Sequence, residues 1–204
     1  MEASPYCEMT PENRRGAWRD FFDNDGPLYL EIGCGKGRFL AEHAQRDPDI
    51  NFLGIEKYTS VLLRAIQKQE ELDLKNLRFT RMDAEILPVV FAPGEVDHIY
   101  LNFSDPWPKE RHAQRRLPSA SFLRRYEEIL TPDGTVEFKT DNEALFDFAI
   151  SELESAGWEA EALSRDLHTD PVLSVGNILT EYEARFSSQG NRILYMRCKK
   201  KGEQ

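Results

Sequence analysis

The residues best suited to chemistry are acids, each closing a short apolar run. The first is Glu31, in residues 28–40, where glycines follow it at Gly33, Gly35 and Gly37. Glycines two apart permit a sharp turn and a close approach of ligand to backbone. The dinucleotide fingerprint G-x-G-x-x-G would need its last glycine at Arg38, so a pyrophosphate is not the expected ligand. An acid on the strand before such a turn repels phosphate and attracts a cation, and Glu31 therefore favours a positively charged group such as an amino-acid ammonium. Glu56 closes the next run, 25 residues beyond Glu31. That is close to the offset of about 20 residues at which a Rossmann-type acid reaches ribose hydroxyls, and a carboxylate can accept from two vicinal hydroxyls. Asp83 closes a third run, at the sheet edge where open α/β sheets bind ligands. Any one of these acids alone reads as a surface charge; three in register point to one ligand.

A fourth run, residues 96–103, is almost continuously apolar, as a central strand buried on both faces should be. It leads into Ser104-Asp-Pro-Trp-Pro-Lys109. The two prolines forbid continuation of strand or helix and fix the directions of Asp105 and Trp107. A carboxylate and an aromatic ring on a stiffened loop suit a flat, hydrogen-bonding substrate such as a nucleobase, although a proline-rich turn around a buried Trp fits the same letters.

Glu31-x-Gly33-x-Gly35-x-Gly37 resembles the first motif of the class I methyltransferases that use S-adenosylmethionine, whose methionine end carries an ammonium. Residues 104–109, with Arg111, His112, Arg115 and Arg116 after them, closely resemble the bacterial tRNA (guanine-N7)-methyltransferase family, with its S-D-P-W-P-K and R-H-x-x-R-R runs. The likeness continues through Lys139-Thr-Asp-Asn142 and Thr180-x-Tyr182-Glu183. It implies S-adenosylmethionine held by Glu31, Gly33, Gly35, Gly37, Glu56, Asp83 and Asp105, with Asp83 taking the adenine amino group. It also implies tRNA as the partner, methylated at the variable-loop guanosine 46, by a monomer or homodimer. Lys109, Asp141, Thr180, Glu181, Tyr182 and Glu183 are then substrate-binding, and Arg111, His112, Arg115 and Arg116 hold RNA. Asp105 is the candidate catalytic residue. Guanine N7 has a free lone pair and needs no strong base, so catalysis reduces to positioning and negative potential around a developing cation. Thr180 and Glu183 also satisfy a capping box, and Asp141 could cap the helix after it. A methyltransferase for a protein or small molecule is the alternative within the class, but it leaves the basic run unexplained. A non-catalytic nucleotide- or RNA-binding module would go with a degraded glycine motif or missing strand-end acids.

The elements that must position these residues follow a strand-then-helix rhythm. Phe39, Leu40, His43 and Ala44 form one helical face, and Val61, Leu62, Ala65, Ile66, Gln69 and Leu72 a second. A third helix runs from Ser119 or Ser121 to Leu130, stopped by residues 131–134, and a fourth from Asn142 to Gly157. Strands are expected at 28–32, 51–56, 77–83, 96–103 and 135–141, with a final antiparallel pair at 160–167 and 192–198. The fold class is α/β: a Rossmann-like class I methyltransferase fold, with a seven-stranded, mainly parallel sheet, helices on both faces and an antiparallel edge pair.

The 204 residues suit one domain, 1–204, with residues 1–26 as a leader and short helix ending in the Asp23-Asn-Asp-Gly26 turn. The net charge of -10 argues against nucleic acid at face value, but the cations cluster, as at Lys109 to Arg116. Cys7, Cys34 and Cys198 form neither a disulfide framework nor a zinc pattern, and His43, His98, His112 and His168 are dispersed, so no metal is expected. With no signal peptide and no apolar run near the roughly 20 residues of a membrane span, a cytoplasmic protein outside the membrane is expected.

Overall fold

The computed structural model describes residues 4–22 and 24–202, so the first residues of the leader, Asp23 of the expected turn and the last two residues lie outside it. Eight strands form one sheet: β1 (Cys7–Glu8), β2 (Leu28–Ile32), β3 (Asn51–Glu56), β4 (Leu77–Arg81), β5 (Val96–Asn102), β6 (Leu130–Thr140), β7 (Trp158–Ser164) and β8 (Leu194–Lys200). Their order is β1-β4-β3-β2-β5-β6-β8-β7. Pairing is parallel from β1 to β6, and β8 runs antiparallel to both β6 and β7. The helices are α1 (Arg38–Arg46), α2 (Thr59–Leu72), α3 (Leu87–Val90), α4 (Ala120–Ile129), α5 (Glu143–Ala156) and α6 (Glu181–Ser187). Chain order reverses between β2 and β5, which opens a crevice beyond the carboxyl ends of those strands.

The α/β class, the parallel core and the antiparallel edge are as expected, but the sheet has one more strand than the expected seven. The extra strand is β1, in the leader, where Cys7 pairs with Phe79 and Glu8 with Thr80 on the edge of β4. Two residues carry no readable alternation, and their value is to cover an otherwise open edge. The leader is also pinned further along. Trp18 is fully buried, stacks on Phe91 at 5.2 Å and donates its indole N–H to the Val90 carbonyl at 3.1 Å. The Glu95 carboxylate accepts from the backbone N–H of Gly16, Trp18 and Ala92. The expected short helix is a 3-10 turn, Arg19–Phe21.

Apolar clusters lie on both faces of the sheet. One packs Leu30, Ile99 and Phe138 with Leu87, Phe122 and Phe146 from α3, α4 and α5. The other packs Phe52 and Phe79 with Leu40 and Leu62 from α1 and α2. His43 and His98 sit in an aromatic patch with Phe39, Tyr29 and Tyr100, where burial pushes their pKa values down to about 4 and about 3. They are neutral core residues. Among the described residues no helix is long and apolar enough to cross a membrane.

Several boundaries moved for identifiable reasons. β4 stops at Arg81, because Asp83 turns the chain into a 3-10 helix, Ala84–Ile86, and caps it by accepting from the Glu85 N–H at 3.0 Å. β6 begins at Leu130, and residues 131–134 bulge out between the pairs Val96–Leu130 and His98–Thr135. Ser119 stands at the start of α4 without capping it, and the Ala120 N–H is taken instead by Glu152 of α5 at 2.7 Å. Asn142 does cap α5, accepting from the Leu145 N–H at 2.8 Å, which leaves Asp141 free of that role.

Candidate cofactor cleft and substrate pocket

The crevice holds three connected hollows. The first, of about 490 Å³, takes in Gly33, Glu56, Asp83, Asp105, Trp107 and Arg115. The second, of about 540 Å³, takes in Glu31, Gly33, Gly35, Thr180, Tyr182 and Arg185. Both include Gly33, Asn102 and Phe103. The third, of about 290 Å³, lies between Asp105, Asp141 and Tyr182 and is also bounded by Phe103. Phe103, the residue after β5, is therefore the junction of all three. Its φ of +52° lies in the left-handed region, costly for an aromatic residue, and its N–H is fixed to the Lys139 carbonyl at 2.8 Å.

Glu31 and Glu56 are buried, Asp83 is half-buried, and all three are held by hydrogen bonds. Glu31 is 3% exposed at the end of β2. One of its oxygens accepts from the Asn102 amide at 2.8 Å; the other, Oε2, is buried with no hydrogen-bond partner among the described residues. Burial pushes its carboxyl up to about 7, against the Asn102 hydrogen bond and the positive charge of Lys139. A buried carboxylate with one free oxygen in a hollow is the complement of an ammonium. Glu56, at the end of β3, accepts from the Gly35 N–H at 3.2 Å and the Tyr58 N–H at 2.9 Å, so its carboxylate is tied to the glycine turn it faces. Asp83 meets the Lys57 ammonium at 2.5 Å. Burial would raise its carboxyl, but the hydrogen bonds from Lys57 and the Glu85 N–H outweigh it and hold it below its ordinary value.

The three glycines divide by role. Gly33 and Gly35 adopt φ of +80° and +58°, and a Cβ on either would meet no described atom within 4 Å, so both border the open space of the second hollow. Gly37 precedes α1 with φ of +72°, and a Cβ there would meet Phe79 at 2.9 Å, so this glycine serves packing as well.

The substrate side is built differently. Asp105 is exposed and, among the described residues, makes no hydrogen bond or ion pair. Its loop is braced from below by Arg116, which is 7% exposed and donates to the carbonyls of Pro106 at 3.1 Å and Trp107 at 3.1 and 3.2 Å. The Arg116 guanidinium also lies 4.3 Å from the Phe148 ring. The expectation that Arg116 holds RNA phosphate does not fit this geometry, because the side chain is nearly buried and its Nε and Nη2 donate to the loop carbonyls. Arg111 and Arg115 are exposed on the 3-10 helix Glu110–Arg115, with Arg115 over the Trp107 ring at 5.3 Å and His112 edge-on to the same ring at 5.5 Å. Lys109 is exposed and lines none of the three hollows. Trp107 takes φ of +40°, a second strained residue on this loop.

Across from the loop, Asp141 accepts from the Tyr182 hydroxyl and the Asn191 amide, each at 3.3 Å. Tyr182 stacks between Phe103 at 4.7 Å and Phe186 at 4.0 Å. The Thr180–Glu183 capping box is present in both halves at the start of α6. Glu183 is fully buried and accepts from Lys139 at 2.9 Å and Asn177 at 2.8 Å, with the His168 ring nitrogen at 2.9 Å. Burial alone would raise its carboxyl, but Lys139, His168 and Asn177 hold it below the ordinary range. The two alternatives for Thr180-x-Tyr182-Glu183 therefore divide by residue: Glu183 anchors the helix, Tyr182 faces the pocket, and Thr180 both caps the helix and lines the second hollow. Glu181 is exposed at the second hollow, 3.9 Å from Lys36 and 3.8 Å from Lys68.

Asn102 and Phe103 belong to the site, yet no sequence argument singled them out, and Lys139 entered only as the first letter of the 139–142 likeness, with no role of its own. Asn102 and Lys139 are register partners on β5 and β6, so they link Glu31 to Glu183 across the sheet. A polar or charged residue ending a buried strand was the available signal. Among the described residues no group of three or more His, Cys, Asp or Glu could hold a metal ion.

The family model Methyltransf_4, described as "Putative methyltransferase", matches residues 25–196. A tRNA (guanine-N(7)-)-methyltransferase of Lachnoclostridium phytofermentans is 53% identical over 188 residues, covering 92% of this chain and 87% of that protein. One of the same name from Bacillus cytotoxicus is 49% identical over 202 residues, covering 99% of this chain and 92% of that protein. Among solved structures, an antibiotic-related methyltransferase superposes with a TM-score of 0.62 at 20% identity, covering 87% of each chain, which speaks to the fold.

Proposed function

The chain belongs to the tRNA (guanine-N7-)-methyltransferase family, and from that premise we propose that it transfers a methyl group from S-adenosylmethionine to N7 of a guanosine in tRNA. The target we assign is guanosine 46 of the variable loop, in the cytoplasm, and the whole chain acts as one domain. The observation that carries this reading is the convergence at Phe103: the hollow of Glu31, the hollow of Glu56 and Asp83, and the pocket between Asp105 and Asp141 share that residue.

The residues present fit S-adenosylmethionine. The free oxygen of Glu31 suits its ammonium, the fixed carboxylate of Glu56 its ribose, and Asp83 its adenine amino group. When bound, it supplies a sulfonium methyl as electrophile: the N7–C bond forms as the S–C bond breaks, and positive charge passes from sulfur to the purine with no proton to remove. The task of the protein is therefore to hold the base and stabilise that charge. Asp105 and Asp141 accept from the guanine ring N–H and amino group, which turns N7 towards Phe103 and Gly33. Their two negative charges also favour the cationic product. Tyr182, held between Phe103 and Phe186, presents its edge and hydroxyl to the pocket. Arg111, His112 and Arg115 take phosphate at the mouth, and Lys109 lies among them. Arg116 and Glu183 are positioning residues.

Incubation with labelled S-adenosylmethionine and bulk tRNA, followed by nucleoside analysis, tests the reading. It expects 7-methylguanosine as the labelled product, and none from a transcript in which guanosine 46 is replaced by adenosine. Label in another nucleoside or in protein overturns the substrate; label in the replaced transcript overturns the position.

A further inference from the structure

We infer that the wall of the cleft opposite the Asp105 loop carries a second RNA contact, in which Arg185, Lys36 and Arg38 take backbone phosphate next to the target guanosine. The inference rests on the tRNA reading above and extends it to residues on the glycine turn and on α6.

All three cations line the second hollow, beyond the Gly33–Phe103 junction from Arg115, which lines the first. Arg185 is exposed. Its guanidinium lies 5.5 Å from the Phe186 ring, and among the described residues it has no hydrogen bond or ion pair. Lys36 is 61% exposed and shares the single carboxylate of Glu181 with Lys68, at 3.9 and 3.8 Å. Arg38 pairs with Glu42 at 2.7 Å one turn along α1. With Lys68 and the buried Glu31 of the same hollow counted, four cations face three carboxylates, a small local positive excess on a chain of net charge -10. Beside them the Tyr182–Phe186 stack offers an aromatic flank of the kind that accompanies cations in RNA-binding grooves.

Topology supplies the reason for two walls. A guanosine seated between Asp105 and Asp141 has a phosphate on its 5′ side and another on its 3′ side. Cations on the Asp105 loop meet the strand on one side only, and the unpaired charge of Arg185 stands on the other. Such contacts position the strand without reading its sequence.

The test is binding of unmodified tRNA to the full chain with S-adenosylhomocysteine present, across a series of KCl concentrations. Arg185→Ala should lower the slope of log affinity against log salt by about 1 and raise the KM for tRNA roughly three- to ten-fold. The Kd for S-adenosylhomocysteine should stay within about two-fold, as expected of a contact to RNA alone. Lys36→Ala/Arg38→Ala should lower the slope further, and Arg185→Lys should restore most of it. Arg124→Ala, at an exposed residue of α4 that lines none of the three hollows and donates to the Ser155 carbonyl of α5, serves as the control with no change. A slope and KM equal to wild type in Arg185→Ala and in the double variant overturn the inference. So does weakened S-adenosylhomocysteine binding with an unchanged salt slope, which would assign these cations to the carboxylate of the cofactor. Wild-type protein that makes no 7-methylguanosine would sink the tRNA reading itself; wild-type methylation with indifferent variants sinks only the second contact.

Discussion

The two halves of the cleft obey different rules. On the cofactor side Glu31, Glu56 and Asp83 each accept from a named donor, two of them nearly buried, at the ends of parallel strands. On the substrate side Asp105, Lys109 and Arg111 are exposed and, among the described residues, unpaired, carried by a loop whose shape depends on two prolines, a strained Trp107 and the buried brace of Arg116. A small cofactor can be met by preformed, desolvated groups. A large polyanion has to be met by cations still facing water, because their charge must reach outward. Between the halves stands one buried ion pair, Lys139 with Glu183, reaching from the sheet to α6.

Breaking that pair should give the largest effect. Lys139→Met leaves Glu183 fully buried without its cation and should cost about 3–5 kcal/mol in urea unfolding, while Lys139→Met/Glu183→Leu should recover much of the loss. The pair has a pH signature too. The folded-state pKa of Glu183 is depressed, so its stabilisation is complete above the ordinary carboxylate value of 4.5 and is lost as pH falls below it. Full stability of the single Lys139 variant would make the two halves independent.

Glu31 gives the next effect, with the opposite sign. Its carboxyl is raised from 4.5 to about 7, so the folded, ligand-free chain holds a proton that the unfolded chain releases. The contribution of Glu31 to stability is therefore fully present below about 4.5 and lost as pH rises to about 7, a change on the order of 3 kcal/mol. An ammonium needs the ionised form. Affinity for S-adenosylhomocysteine should accordingly weaken as pH falls below 7, and Glu31→Gln should weaken binding and flatten that dependence. A wild-type affinity flat between pH 5.5 and 8 would contradict the role of Glu31.

Arg116 sharpens the contrast within the basic run. Arg116→Lys keeps the charge but loses the forked donation to the Pro106 and Trp107 carbonyls. It should lower kcat/KM for tRNA roughly ten- to a hundred-fold, consistent with about 1.5–3 kcal/mol for charged hydrogen bonds, with the salt slope unchanged. Rescue by lysine would return Arg116 to the phosphate contacts. The smallest expected effect is that of Thr180→Ala, which removes one cap of α6 and should cost about 1 kcal/mol by thermal unfolding. A larger loss there would mean that α6 is held mainly by its cap rather than by Glu183.

The same division explains what was legible in the sequence. The parallel strands and the acids closing them were readable because a buried strand must be apolar and must end where the ligand begins, and Glu31, Glu56 and Asp83 mark those ends. β1 was not, since two residues have no period. Asn102 and Lys139 were not, because their meaning comes from register with neighbouring strands, and register is a property of the sheet. Arg116 looks like Arg111 and Arg115 in a basic run; only burial shows that its guanidinium turns inward. Thr180 and Glu183 satisfied two readings in the sequence, and the side chain of Lys139 separates them.

The convergence of cofactor and base beside Phe103 is tested most directly by single-turnover methylation with Asp105→Asn at saturating tRNA and S-adenosylmethionine. Asp105 borders the cofactor hollow as well as the base pocket, so some loss of S-adenosylhomocysteine affinity is compatible with the account. The rate of 7-methylguanosine formation should fall by roughly 10²–10³, the scale of removing one preorganised electrostatic group. A wild-type rate at saturation, with cofactor affinity unchanged, would contradict the placement of Asp105 against the base.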